Sequence, residues 1–359
     1  MLISFFIYIA TVASIPAYIG YFSILFIKKS SWVKIYNQFL TKEHLFLLGL
    51  VLMINANRYL DFNTGYRARD YFPDSILILF MYYLSITLTT KQIKYLVVFI
   101  TIESIVVYFE FFIGKPSILP GYSVDIVDLD FLYFNRPLGL SSNTSHVALK
   151  LFLATLLLVK YNLFKPNIQR IILFVILGSV VLTFNRTVIV SVIVLGILQI
   201  VNKYSKGERR VLLLAIIGII GIILVYTNFL QYFNNQITVG RTGAGVLSGR
   251  VYIWEEFIKH IKTHLLFGNN SIRYSVIYYG NVAHAHNSFL HILATHGLLI
   301  SVYYVVFFFS RISSKNFVVV LPILVFSTSQ LGIFWSFSIT DIVLFIFLFN
   351  KILENEANT

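Results

Sequence analysis

Solid apolar runs, separated by short polar breaks, follow one another along nearly the whole chain. Runs of about 17–25 residues are long enough to cross roughly 30 Å of hydrocarbon as helices, whereas the strands of a β-barrel would alternate apolar and polar positions. The pattern predicts an all-α fold, a polytopic transmembrane helical bundle of about 11 spans near 3–27, 44–57, 75–89, 95–113, 146–161, 171–184, 188–201, 211–227, 287–310, 317–335 and 339–350. Long connections at about 61–74, 114–145 and 228–286 interrupt the series. No repeat of fixed period is visible, so 1–359 reads as a single transmembrane domain.

Composition removes alternatives. With 58% hydrophobic and 12% charged residues and a mean hydropathy of +0.81, the chain is too apolar for a soluble globule. The first run is followed by Lys28-Lys29 and by no small-residue cleavage site, which predicts a retained span instead of a signal peptide. The absence of cysteine excludes disulfides and thiolate metal sites. The net charge of +13 is dispersed among the connections between spans, which points to membrane orientation and anionic lipid-linked ligands and not to nucleic acid.

Of the 28 Lys and Arg residues, sixteen fall on one set of loops, eleven on the other, and Lys150 lies inside a span. The richer set occupies short, plain loops, as the cytoplasmic face does under the positive-inside rule. The opposite face then carries the long connections, with 228–286 as a large extracytoplasmic loop. Long loops on one face are where function concentrates.

Within that loop Trp254, Phe257, Ile258, Ile261 and Leu265 recur at helical spacing, opposite Glu255, Glu256, Lys259, Lys262 and Thr263. This predicts an amphipathic helix lying at the membrane interface, with Ser248 as its N-cap. The glycines at 240, 243, 245 and 249 resemble a phosphate loop, but Val246 stands where a P-loop needs lysine.

Four polar features sit where an outer connection meets a span: Asn135-Arg136-Pro137-Leu138-Gly139 leading to Asn143; Phe184-Asn185-Arg186-Thr187; Gly249-Arg250 before Trp254; and His286-Asn287. A lone interfacial arginine anchors to headgroups. Arg186 differs, because its connection is so short that the guanidinium stays at membrane depth, where it needs protein, water or an anion. A guanidinium fork there suits a diphosphate, since it pairs two oxygens at once.

Other chemistries compete. Glu256, His260 and His264 share a helical face, and His284 with His286 could complete a metal site, although that face is also the natural solvated one. Glu103 and Lys150 fall inside spans, as ion-coupling groups of a transporter would, or as a structural pair. His146, His291 and His296 read as packing histidines, and Asn143 and Ser145 as caps for the span near 146–161.

The order and spacing of these motifs, with Gly297 ten residues after Asn287, resemble the O-antigen ligase and O-antigen polymerase superfamily of bacterial membrane glycosyltransferases. Arg136 to Gly139 with Asn143 is similar to its Arg-x-x-Gly element, and Asn185-Arg186 to its arginine element between two spans. Two positions differ: Asn185 replaces a small residue, and Ile300 stands where ligases often carry Gly, Thr or Tyr.

The resemblance implies an inverting, metal-independent enzyme without cofactors, set in the bacterial plasma (inner) membrane with its site facing outward. Its donor would be an undecaprenyl-diphosphate-linked oligosaccharide, and a chain-length regulator protein is an implied partner besides the bilayer. His286, Arg186 and Arg250 are the expected catalytic residues; Arg136, Asn143, Asn287 and Trp254 are the expected substrate-binding residues. A sugar on a lipid diphosphate is already activated, so such an enzyme must stabilise the departing diphosphate and activate an acceptor hydroxyl. A polysaccharide polymerase is the first reading. A ligase delivering the glycan to lipid A-core, and a flippase for lipid-linked sugars, are the alternatives.

Overall fold

The structure is a computed structural model that describes residues 1–39, 41–59, 74–115, 117–119, 136–202, 250–278, 281–334, 338–350 and 353. The expected span near 211–227, the glycine-rich stretch and Ser248 lie outside the described residues. The helices are α1 (Leu2–Ile9), α2 (Lys29–Gln38), α3 (Lys42–Tyr59), α4 (Asp74–Thr87), α5 (Thr90–Ile113), α6 (Thr144–Lys160), α7 (Pro166–Leu182), α8 (Arg186–Asn202), α9 (Arg250–Thr263), α10 (Ser288–Phe309), α11 (Ser314–Ser327) and α12 (Ile339–Phe349). A two-stranded antiparallel hairpin, β1 (Val276–Tyr278) and β2 (Asn281–Ala283), modifies the all-α expectation.

The bundle is arranged around α6. This helix is apolar on nearly every side, which forces it inward, and every residue from Val147 to Leu158 is buried. It packs against α5, α7, α8 and α12. Helix α5 has the reverse of a soluble helix's polarity: Ile102, Ile105, Phe109 and Phe112 are 51–79% exposed, whereas Glu103 and Glu110 are 0% exposed. Apolar residues outward and carboxylates inward mark a membrane protein, because the surrounding solvent is hydrocarbon.

Among the described residues two helices, α5 and α10, are individually long and apolar enough to cross a membrane, and a third is counted if Ser31–Asn37 and α3, bent by 77°, form one span. Helices α7, α8, α11 and α12 are apolar but shorter, at 10–17 residues. The expected span 3–27 is broken. The α-helix ends after Ile9, Ser14 is left-handed (φ 63°), and the chain resumes at Ala17–Phe26 as a 3-10 helix preceded by Pro16. Proline has no N–H to continue the ladder, and a left-handed residue redirects the chain.

The amphipathic helix of the long loop is present as α9, but its buried face is Ile253, Phe257 and Ile261, spaced i, i+4, i+8. That face is covered by Leu290, Leu293 and Ala294 of α10 and by Tyr274, Val276, Tyr278 and Ala283. Protein, and not the bilayer, shields it. Ile258 and Leu265, expected on the buried side, are 43% and 45% exposed.

Helix α10 is two helical pieces joined at Gly297, where φ 76° and ψ 178° leave the helical region. A Cβ here would overlap the backbone of Leu266 and Phe267, which only glycine avoids. The groups released by the break find partners in the adjoining loop: Leu298 N–H donates to the Leu265 carbonyl (2.8 Å), and the Ala294 and Thr295 carbonyls accept from Asn269 N–H (2.9 and 3.1 Å). Asn57 of α3 closes the same corner, its amide donating to the Phe267 carbonyl (2.9 Å) and to Ser271 Oγ (2.8 Å).

Candidate active site

Three helices of the bundle begin on an asparagine cap. Asn143 Oδ1 accepts from His146 N–H (2.9 Å) at the start of α6, Asn185 Oδ1 from Val188 N–H (3.1 Å) at α8, and Asn287 Oδ1 from Leu290 N–H (3.0 Å) at α10. These side-chain oxygens satisfy N–H groups that a helix start leaves without partners. Asn143 and Asn287, expected to bind substrate, thus use Oδ1 to build the helix starts.

The starts are tied to one another. Asn185 Nδ2 donates to Ser145 Oγ (3.1 Å), joining α8 to α6. Ser329 Oγ donates to Thr187 Oγ1 (3.1 Å), joining α8 to the turn that follows α11. That turn reaches α10 through Ser288, whose Oγ donates to the Gln330 carbonyl (3.1 Å) and accepts from Gly332 N–H (2.9 Å). Three positive dipole ends therefore lie along one end of the bundle, an arrangement that favours anions.

Arg186 is the first residue of α8 and is half-buried. The preceding Phe184 is left-handed (φ 49°), uncommon for a bulky side chain, and the buried Asn185 holds the turn from both sides. Strain of this kind persists where the surroundings fix it, and it recurs at functional sites. His286 (φ 48°) and Phe334 (φ 58°) have the same conformation.

Arg136 enters on the loop 136–141, which ends just before the cap of α6. Two buried carboxylates of α5 hold this loop. Glu110 Oε2 accepts from Gly139 N–H (2.7 Å), and Glu103 Oε1 accepts from Leu140 N–H (3.0 Å) and Ser141 Oγ (3.1 Å). Lys150 Nζ lies 2.6 Å from Glu103 Oε1, and Tyr8 Oη donates to Oε2 (3.0 Å). Gly139 is left-handed (φ 57°), and a Cβ there would press on Val147 (2.9 Å) and Glu103 (3.1 Å). The Glu103–Lys150 pair, a candidate for ion coupling from sequence, is built into the support of this motif.

Arg250 opens α9 and acts electrostatically on His286. Trp254, one turn on, donates its indole N–H to the carbonyl of the buried Ala285 (2.6 Å), fixing the residue before His286. Its described polar contact is thus to the backbone beneath the histidine. Burial first, then Arg250 and His284, hold the His286 imidazole below its ordinary pKa, against a hydrogen bond with Gln330 that raises it. The ring is therefore neutral near pH 7 and able to take a proton.

The residues of the metal alternative are engaged elsewhere. Glu256 pairs with Lys259 (2.6 Å), His260 stacks on Tyr274 (3.8 Å between centroids), and His264 Nδ1 meets Thr263 Oγ1 (2.8 Å). Among the described residues no three His, Asp or Glu side chains converge as metal ligands. A small cavity is lined by Ser271, Arg273, His291, Thr295, His296 and Phe334, together with Ile54, Ser75, Ile78 and Met81. His291 and His296, expected as packing residues, do line the interior of α10, but around this polar pocket.

Ser288, Ser329 and Gln330, which join α8 and α10, carry no motif in the sequence. The small polar run after α11 was their one signal, and nothing in it names the partner. Glu110 likewise belongs to no motif, although a second carboxylate in an apolar run is the kind of residue that must find partners.

A search among curated proteins gives no match. A family comparison does: residues 171–305 match the family described as O-antigen ligase. The matched segment contains Arg186, Arg250, Trp254, His286, Asn287 and Gly297, and leaves Arg136 and Asn143 outside it. The chain thus carries a domain similar to the O-antigen ligase family, which supports the O-antigen ligase and polymerase superfamily read from the motifs.

Proposed function

We propose that the protein is an inverting membrane glycosyltransferase that joins undecaprenyl-diphosphate-linked repeat units into O-antigen or capsular polysaccharide at the outer face of the bacterial plasma membrane. The observation that carries this reading is the gathering of the Asn-capped starts of α6, α8 and α10 at one end of the bundle, with Arg186 at one start and His286 beside Arg250 at another. An end rich in guanidinium groups and helix N-termini stabilises a leaving diphosphate, and a neutral imidazole beside it supplies a base.

In the proposed step His286 takes the proton of an acceptor hydroxyl as the oxygen attacks the anomeric carbon opposite the diphosphate. The bond from that carbon to the diphosphate oxygen breaks, and the electron pair leaves on undecaprenyl diphosphate. Arg186 and Arg250 compensate the charge that develops there, assisted by Arg136. The new glycosidic bond has inverted configuration, and the imidazolium returns its proton to water. The charge compensation comes from guanidinium groups, so no metal ion has a role in this step.

The family match is equally compatible with a second reading, a ligase that passes the same lipid-linked glycan to lipid A-core. Gene deletion followed by electrophoresis of surface glycan separates the two. A polymerase leaves single repeat units on core when lost. A ligase leaves core bare while lipid-linked polymer accumulates.

A further inference from the structure

Glu103 and Glu110 lie seven residues apart on α5, both fully buried, and both address the loop that carries Arg136. Burying two carboxylates is costly. The N–H groups of Ile118, Gly139 and Leu140 need acceptors there, and the two carboxylates supply them in one fixed geometry.

Glu103 is matched by Lys150 (2.6 Å) and meets the end of the loop through Leu140 and Ser141. Glu110 has a different set of partners. Its Oε1 accepts from Ile118 N–H (2.9 Å), and its Oε2 accepts from Gly139 N–H (2.7 Å). Glu110 thus bridges the chain leaving α5 and the chain entering α6. The Leu140 carbonyl also accepts from Ala13 N–H (2.8 Å), which fixes the same loop from the α1 side. The left-handed Gly139 sits at the centre, its open Cα face against Glu103 and Val147.

We propose that Glu110 is a positioning residue for the transfer reaction: by clamping Gly139 it places the Arg136 guanidinium at the lipid diphosphate. This inference rests on the reading of Arg136 given above and adds the residue that sets its location. Glu110 itself touches no reacting atom. Its replacement by Gln turns one acceptor oxygen into a donor, so that Gly139 N–H or Ile118 N–H faces an N–H group and the clamp opens. A displacement of about 1 Å in a charge-compensating group lowers rate by up to ~10²-fold.

The test is a double-mutant cycle on the purified full-length protein with an undecaprenyl-diphosphate-linked repeat unit as donor, reading kcat/KM and thermal midpoint. Glu110→Gln in the wild-type background is expected to lower kcat/KM about tenfold, and in the Arg136→Ala background less than about twofold, because the group it places is gone. A purely structural role predicts the same factor in both backgrounds, and that result overturns the proposal, as does full activity of Glu110→Gln. If Arg136→Ala alone leaves kcat/KM unchanged, the reading of Arg136 itself fails and carries the proposal with it, which the single variant reveals before the cycle is closed. Should Glu110→Gln fail to accumulate, Glu110→Asp keeps the carboxylate but shortens its reach to Ile118 and Gly139, and enters the same cycle. About a threefold loss is then expected in the wild-type background alone, and an equal loss in both backgrounds again overturns the proposal.

Discussion

The two ends of the bundle use their cations in different ways. At the end where α6 finishes, Lys160 donates to the Lys315 carbonyl (2.7 Å), Arg311 pairs with Glu43 (2.8 Å), and Lys94 lies over the Phe164 ring at 4.9 Å. These charges close helix ends and tie neighbouring elements together. At the end where α6, α8 and α10 begin, Arg136, Arg186, Arg250 and His286 stand beside helix N-termini and left-handed backbone. There the helix ends disfavour cations and favour anions. A count of basic residues therefore orients a membrane protein, whereas their chemistry depends on what the backbone around them presents.

The contrast between the ends can be tested from the larger effects downward. Arg186→Lys keeps the charge but loses the planar fork, and transfer should fall roughly 10²–10³-fold. Lys160→Ala or Arg311→Gln at the other end should change stability by less than about 1 kcal/mol and leave the surface glycan unaltered. Equal losses of transfer at the two ends, measured at matched protein levels, would erase the distinction.

Gly297→Ala should reduce stability by about 1–3 kcal/mol from the left-handed backbone alone, with more from overlap on Leu266 and Phe267. A thermal midpoint in detergent measures it, and an unchanged midpoint would contradict the break in α10. Asn287→Ala should cost about 1 kcal/mol as a lost cap. Its effect on transfer should exceed that of Asn143→Ala, because Asn287 adjoins His286, the proposed base.

Arg250 and His286 are linked through pH. The neighbouring guanidinium disfavours the imidazolium, so with burial it keeps the His286 pKa low. The acid limb of the kcat/KM profile should therefore lie below about pH 6.5, the ordinary imidazole value. Arg250→Gln removes a cation, raises the pKa of the base, and should move the limb to higher pH in whatever activity remains. A limb that stays in place would separate the two residues.

Much of this contrast was readable in the chain. Arg136, Arg186, Arg250 and His286 stand out because polar groups beside apolar runs are expensive, and the spacing of the runs places all four on one face. The cover of α9 was not readable. Helical periodicity says that Phe257 and Ile261 are buried, but it cannot distinguish lipid from α10 and the β1–β2 hairpin. Nor could the break at Gly297 be seen, since it depends on the approach of the 265–269 backbone from outside the helix. The same limit hid the clamp made by Glu110: a buried carboxylate announces that it has partners, and only the fold names them as Ile118 and Gly139.

The proposed role of His286 as the base is tested most directly by the turnover of His286→Asn with an undecaprenyl-diphosphate-linked donor and the purified protein. Asparagine accepts the left-handed backbone that His286 adopts (φ 48°), so the turn before α10 is preserved while the base is removed. Turnover is expected to fall roughly 10²–10⁴-fold with the protein folded and donor binding retained. Near wild-type turnover would contradict that role, and would move the proton acceptor away from the start of α10.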